Sequence, residues 1–195
     1  MTFYGFARGV VKAALRAFWR FRVVGAERVP PAGPLIVAAN HVSYFDPPAL
    51  GCALPRPLHY MAKQQLFAMG LLGRLIGALN AFPVDRSRGD VAAIKRAVEV
   101  LRGGAAVGIF PEGTRNKDGN VRPQAGIALL HYLSGAPILP AYIAGTARAR
   151  RFAQISVTFG EPVRFTDGQK ASREDLAKWT DDIMERIFAL GETLG

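Results

Sequence analysis

The sequence predicts an α/β fold. It reads as one domain, a sandwich whose central mixed, largely parallel sheet of about seven strands is flanked by helices, with an amphipathic helix at the N-terminus. Three observations carry this reading. Seven short apolar runs alternate with six segments of helical period. Of the 195 residues, 50% are hydrophobic, and a chain of this length buries roughly 70% of its unfolded surface, enough for one core. No internal repeat, low-complexity tract or Ser/Gly linker divides the chain.

Phe6–Arg20 opens the chain as a helix. Arg8, Lys12, Arg16 and Arg20 recur every four residues. Each such step turns by about 40°, so the four cations form one slowly drifting stripe. Phe3, Phe6, Val10, Ala13, Ala14, Ala17, Phe18 and Phe21 fall on the other side. A basic face opposite an aromatic one suits a helix lying among lipid headgroups. The plainer reading packs the apolar face on the protein's own core and leaves the arginines in water. Strands are expected at Phe21–Gly25 and Leu35–Ala39, then a helix at Pro47–Ala53, where Asp46 would be the N-cap and Pro47 the first helical residue. A strand at Leu58–Ala62 leads into a helix over Gln64–Leu79. The apolar stretch from Leu66 to Val84 contains Arg74, Asn80 and Pro83. It reads as a buried or interfacial helix, because a span needs about 20 predominantly apolar residues. The remaining expected strands are Phe82–Val84, Ala105–Phe110, Ile138–Ala144 and Ile155–Phe159. The remaining helices are Asp90–Leu101, Gln124–Leu133 and Ser172–Leu190.

Lys plus Arg is 25 and Asp plus Glu is 15, a formal net charge of +10. That balance favours anionic partners: nucleic acid, a phospholipid surface or phosphate-bearing substrates. Nucleic acid fits poorly, because the chain has no helix-turn-helix, zinc-finger or RNA-binding signature. The single cysteine, Cys52, excludes an internal disulfide and a cysteine-rich zinc site, and fits a reducing compartment. No small-residue cleavage pattern follows the N-terminal stretch, so no signal peptide is expected.

In α/β sheets ligands bind beyond the carboxyl ends of strands. Two polar clusters follow strands directly. The first is Asn40-His41-Val42-Ser43-Tyr44-Phe45-Asp46-Pro47. An imidazole suits a general base at neutral pH. On a continuous helix Asp46 would stand about 140° from His41, but a folded-back loop lets its carboxylate hold one ring nitrogen and stabilise the imidazolium. The competing reading makes Asp46 a plain helix cap and His41 an ordinary loop residue. Ser43 lies in no Gly-x-Ser-x-Gly elbow, and Cys52 reads as a small core residue, so His41 would activate a hydroxyl brought by the substrate. His59 and His131 read as core or surface histidines. The second cluster is Phe110-Pro111-Glu112-Gly113-Thr114-Arg115, which offers backbone N–H groups and a guanidinium suited to phosphate. Arg86 and Lys63 also stand at expected strand ends. Arg148, Arg150 and Arg151 form a separate basic run, read first as a solvated loop and second as a contact for lipid or an acidic carrier.

Read together, these blocks resemble the glycerolipid acyltransferase family, and within it the 1-acyl-sn-glycerol-3-phosphate acyltransferases. Asn40-His41-x4-Asp46-Pro47 is similar to the His-x4-Asp block, Phe82-Pro83-Val84-Asp85-Arg86 to the second, Phe110 to Arg115 to the third, and Pro137-Ile138-Leu139-Pro140 to the fourth. Lys63-Gln-Gln-Leu-Phe resembles the family's Lys-x-Glu-Leu segment. The likeness spans about Val24 to Val163. Gln65 stands where the family often has Glu. Val121-Arg122-Pro123-Gln124-Ala125-Gly126 replaces a common Phe-Lys-x-Gly pattern, with Arg122 for Lys and Gln124 for Gly, departures that bear on the substrate more than on the reaction.

The resemblance implies transfer of a fatty acyl group from acyl-CoA or an acyl carrier protein to the hydroxyl of a lysophospholipid, lysophosphatidic acid above all. No cofactor beyond the donor and no metal is expected. His41 would be the base and Asp46 its orienter. Lys63, Arg86 and Arg115 would hold phosphate, with Glu112, Gly113 and Thr114 beside them in the substrate-binding block. Glu112 would position a hydroxyl or brace an arginine. Pro140 and the helix after Lys63 would border the acyl chain. Residues 1–22 become a membrane-interfacial helix and 23–195 the acyltransferase domain. The expected location is peripheral or monotopic, on the cytoplasmic face of the cell membrane. Three other readings stand beside this one: a relative with a different acceptor (glycerol-3-phosphate, a lyso-aminolipid or a polyol lipid), a lipid or thioester hydrolase, and a non-catalytic membrane-binding protein.

Overall fold

The computed structural model describes residues 3–84, 91–116, 120–165 and 171–192. In chain order the elements are α1 (Phe3–Trp19), β1 (Arg22–Val24), β2 (Leu35–Ala39), α2 (Asp46–Ala53), β3 (Leu58–Lys63), α3 (Gln64–Phe67), α4 (Gly70–Ala78), β4 (Ala81–Val84), α5 (Val91–Arg102), β5 (Ala106–Ile109), α6 (Gly126–Ser134), β6 (Ile138–Ala144), β7 (Ser156–Phe159) and α7 (Arg173–Glu192). The strands form one sheet in the order β1-β7-β6-β2-β5-β3-β4. All neighbours are parallel except β6 and β7. This is the mixed, largely parallel sheet that the alternation of elements predicts.

β2 lies at the middle, and all five of its residues are buried. Strands covered on both faces read as continuous apolar runs. Leu35, Val37 and Ala39 join the layer beneath α1 and α2, with Leu50, Leu54, Leu139 and Phe159. Ile36 and Ala38 face the other way, into the layer under α5, α6 and α7, with Leu101, Leu130, Ile183 and Ile187. The period of two along β2 thus builds both halves of the sandwich. At the start of α7, Ser172 and Asp175 cap each other: the Asp175 N–H donates to Ser172 Oγ at 3.1 Å, and the Ser172 N–H to Asp175 Oδ2 at 2.9 Å.

Two expectations need correction. The helix expected over Gln64–Leu79 is broken into α3 and α4. Gly70 sits at φ 45, a left-handed backbone that a continuing helix does not admit. α4 then folds back so closely that a Cβ at Gly73 would lie 2.2 Å from the carbonyl oxygen of Phe67. The second correction concerns α1. Its core contacts come from Leu15, 3% exposed, with Val11 and Trp19 packed beside it. Phe3, Phe6, Val10 and Phe18 remain 54% to 60% exposed. Phe21, at the end of the stripe, packs on the core, but these four residues stay largely in solvent, against the plainer reading. Part of the basic stripe turns inward instead: burial, then the charges of Arg16 and Arg8, lowers the pKa of Lys12.

Candidate active site

The strand order creates the site. β2 and β5 are adjacent and parallel, with Ala38 opposite Ile109. The loops leaving their carboxyl ends, His41–Phe45 and Phe110–Asn116, are therefore neighbours although far apart in the chain. On the other side of β2, Asn40 fixes the strand end to β6. Its Nδ2 donates to Ile143 O at 3.0 Å, and the Ile143 N–H donates to its Oδ1 at 2.7 Å.

Beyond Asn40 the chain folds back on Asp46, which is fully buried. Asp46 Oδ2 accepts from the backbone N–H of Val42 and of Ser43, each at 2.7 Å, and lies 2.9 Å from His41 Nδ1. The carboxylate gives α2 no side-chain cap; Phe45 occupies the cap position and Asp46 begins the helix. So the plain cap reading fails, and the folded-back geometry holds. In the neutral tautomer whose Nδ1 donates to the carboxylate, Nε2 of His41 carries the lone pair. The ring stacks on Phe110 with centroids 4.3 Å apart, and its side chain stays 16% exposed. One face is walled off while a path to solvent remains.

Glu112 is buried at 2% exposure, and both of its oxygens are engaged inside the protein. Oε2 accepts the His41 N–H at 2.5 Å, and Oε1 accepts from Asn116 Nδ2 at 3.1 Å. The Asn116 N–H in turn donates to His41 O at 2.6 Å. Both polar groups of the His41 backbone are thereby clamped by the loop after β5. Burial raises the Glu112 pKa, against the opposing pull of its bonds from Asn116 and His41. Gly113 turns the chain at φ 67, where a Cβ would come within 2.7 Å of the Gln124 amide. Thr114 is exposed. Arg115 lays its guanidinium over the Tyr44 ring, 3.8 Å from the centroid. Among the described residues no carboxylate pairs with it, so its N–H groups remain available to an anion.

The other expected positions lie elsewhere. Lys63 closes β3 beside Val84 of β4, on the same edge of the sheet but beyond β5. Arg86 lies outside the described residues. Pro140 is buried in β6 opposite Ala38, with its ring packed where Gly160 leaves room. Three strands, β2, β5 and β3, lie between it and β4, against which α3 and α4 pack.

A sequence model of the family described as Acyltransferase matches residues 20–144. The chain belongs to the acyltransferase family. It is 31% identical to the 1-acyl-sn-glycerol-3-phosphate acyltransferase of Bacillus subtilis (strain 168), covering 98% of each chain. It is 31% identical to the 1-acyl-sn-glycerol-3-phosphate acyltransferase beta of Homo sapiens over 62% of this chain and 45% of that one. The fold matches the crystal structure of the 1-acyl-sn-glycerophosphate (LPA) acyltransferase PlsC from Thermotoga maritima, with a TM-score of 0.72 and 26% identity. That match covers 100% of this chain and 84% of the other.

Three residues of this candidate site have roles that the sequence does not disclose. Asn116 looks like one more polar loop residue after Arg115, yet it bonds to both Glu112 and His41. Phe110 looks like the last residue of a strand and instead supports the imidazole. Tyr60, on β3, donates from its hydroxyl to Pro47 O at 2.7 Å. Its ring lies where Gly51 and Gly108 leave room. That ring props the first turn of α2, and with it Asp46. Only the single glycines Gly51 in α2 and Gly108 in β5 hint at so close an approach.

Proposed function

We propose that this acyltransferase transfers a fatty acyl group from an acyl thioester to the free hydroxyl of lysophosphatidic acid, making phosphatidic acid for phospholipid synthesis. The observation that carries the reading is the His41–Asp46 pair, in a loop whose Tyr44 ring carries the Arg115 guanidinium. Relatives named for this reaction that match nearly the whole chain support the choice of acceptor. His41 Nε2 takes the proton of the acceptor hydroxyl as its oxygen attacks the acyl carbon. The carbon–oxygen bond forms and the carbon–sulfur bond breaks. The proton held by His41 then passes to the departing thiolate. A thiol leaves readily, its pKa being about 8.5, so no covalent enzyme intermediate is needed. Asp46 stabilises the imidazolium, and Glu112 with Asn116 holds the His41 backbone as positioning residues. Arg115, in its slot over Tyr44, binds the acceptor phosphate, with Lys63 and Arg86 as further phosphate ligands.

The enzyme works at the cytoplasmic membrane surface as a peripheral protein. No described helix is long and apolar enough to cross a membrane. The exposed Phe3, Phe6, Val10 and Phe18 of α1 support docking of that helix among lipids. Its end is joined to the His41 loop through Trp19, whose ring is 5.6 Å from Phe45. Docking therefore brings the base to the headgroup plane.

The test is thiol release from acyl-CoA, and from acyl carrier protein, with and without lysophosphatidic acid. Release that requires the acceptor, yields phosphatidic acid and vanishes in His41→Ala upholds the proposal. Release without acceptor means hydrolysis and refutes it. For docking, Phe3→Glu/Phe6→Glu/Val10→Glu spares the buried Leu15 and should abolish sedimentation with anionic liposomes; unchanged sedimentation refutes the docking.

A further inference from the structure

The site just described uses one side of the His41 loop, the side of β5 and Arg115. On its other side, beyond the carboxyl ends of β2 and β6, lies a cleft of about 530 Å³. Its walls include Asn40 and Val42, the two neighbours of His41 in the chain, with Tyr142 and Ile143 of β6 and, at the rim, Arg148 and Gln154. Small-ligand sites commonly enclose about 300–1,000 Å³. Arg148 belongs to the short 3₁₀ turn Thr146–Arg151, which also carries Arg150 and Arg151. All three arginines are exposed, and among the described residues none is ion-paired. Nor does the Gln154 side-chain amide have a hydrogen-bond partner there. The turn is nevertheless rigidly tied down. Trp19 Nε1 donates to Ala149 O at 2.7 Å, the Ile155 N–H donates to Trp19 O at 3.0 Å, and Gly145, at φ 83, is packed against the Gln154 carbonyl.

Exposed cations held on an anchored turn, at a cleft lined by both chain neighbours of His41, favour an anionic partner. Direct transfer requires both substrates at Nε2 together, and Arg115 claims the β5 side for the acceptor. We propose that the β6-side cleft receives the phosphopantetheine arm common to coenzyme A and acyl carrier protein, with Arg148 on its phosphate and Gln154 on its amides. Arg150 and Arg151, further out, face the rest of the carrier: the nucleotide phosphates of coenzyme A or the acidic surface of the carrier protein. The inference rests on the acyl-transfer reading above, and it assigns the donor a side of the site.

The experiment compares the full-length protein with Arg148→Glu, and with Ala147→Trp, which fills the cleft without changing charge. Steady-state kinetics are run separately with acyl-CoA and acyl carrier protein, together with equilibrium binding of free coenzyme A and liposome sedimentation. Loss of one charge-assisted contact should raise the donor KM about tenfold or more. The KM for lysophosphatidic acid, kcat at saturating donor and liposome binding should stay unchanged. A rise for both donors supports the shared arm, and a rise for one assigns the cleft to that carrier. Unchanged donor KM in both variants overturns the inference. So does loss of liposome binding with donor KM unchanged, which would make the turn a lipid contact. Should the wild type acylate no lysophosphatidic acid, the functional reading fails by itself. Coenzyme A binding then still decides the cleft, since it must weaken in both variants if the arm sits there.

Discussion

Replacing Asp46 by Asn separates the chemical work of the carboxylate from its work in holding the loop. Asp46 Oδ2 accepts three bonds, from Val42 N, Ser43 N and His41 Nδ1. Oδ1 has no partner. An asparagine therefore turns its amide oxygen to the Oδ2 position, where three donors await it, and keeps the loop in shape. What disappears is the charge. The ring nitrogen and oxygen are 2.9 Å apart, so the centres of an imidazolium and a carboxylate would stand roughly 4 Å apart. At an effective dielectric constant of about 20 that pair is worth about 4 kcal/mol, felt only once the base has taken its proton. Asp46→Asn should thus lower kcat about a thousandfold, with little change in the KM for lysophosphatidic acid. The loss of charge-assisted bonds to Val42 and Ser43 should cost about 2 kcal/mol of stability. Thiol release at saturating donor and acceptor measures the first, and urea denaturation the second. Asp46→Ala should be worse on both counts, because all three donors lose their acceptor. If Asp46→Asn keeps kcat within about tenfold of wild type, Asp46 only shapes the loop, and the base is not paired with it during catalysis.

Asn40→Ala would strand the N–H and carbonyl of Ile143 in the core, each at about 1–3 kcal/mol; a lower urea midpoint at unchanged m-value measures it, and an unchanged midpoint contradicts the clamp. Cys52, whose thiol burial pushes up to about 11, should stay unlabelled by a maleimide at pH 7.5 in the native protein and react fully in denaturant. His131 accepts the Phe165 N–H on Nε2 at 3.1 Å while Nδ1 lies 2.7 Å from Ala136 O, and burial lowers its pKa. Its folded pKa being the lower one, its stabilising effect is whole above the unfolded value of about 6.5 and fades as pH falls below it. His131→Gln should therefore cost about 1 kcal/mol at pH 8 and visibly less at pH 5.5, read as the difference between the two melting curves; a cost that grows toward acid pH contradicts the neutral buried imidazole.

What the sequence makes legible, and what it hides, follows from the range of the interactions. The apolar runs of β2 and β5 announce buried strands because both faces of each are covered, and the alternation of strands and helices announces their parallel course. The break at Gly70 escapes notice because helical period persists on both sides of it, and one glycine in a helix is tolerated at modest cost. Spacing left Asp46 undecided between a helix cap and the partner of His41. The structure separates them by direction, since the carboxylate turns back toward Val42 and Ser43 and gives α2 nothing. Glu112 is the harder case. Its partners are the backbone N–H of a residue 71 positions away and the side chain of Asn116. A main-chain donor leaves no mark in a sequence, so a conspicuous acid beside Arg115 reads as a ligand for substrate or for arginine. Yet a base that must meet a hydroxyl within hydrogen-bond reach, the role proposed for His41, depends on where its own backbone is held. The bond from His41 to Glu112 supplies that hold by crossing from β2 to β5. It exists because those two strands, distant in the chain, are neighbours in the sheet.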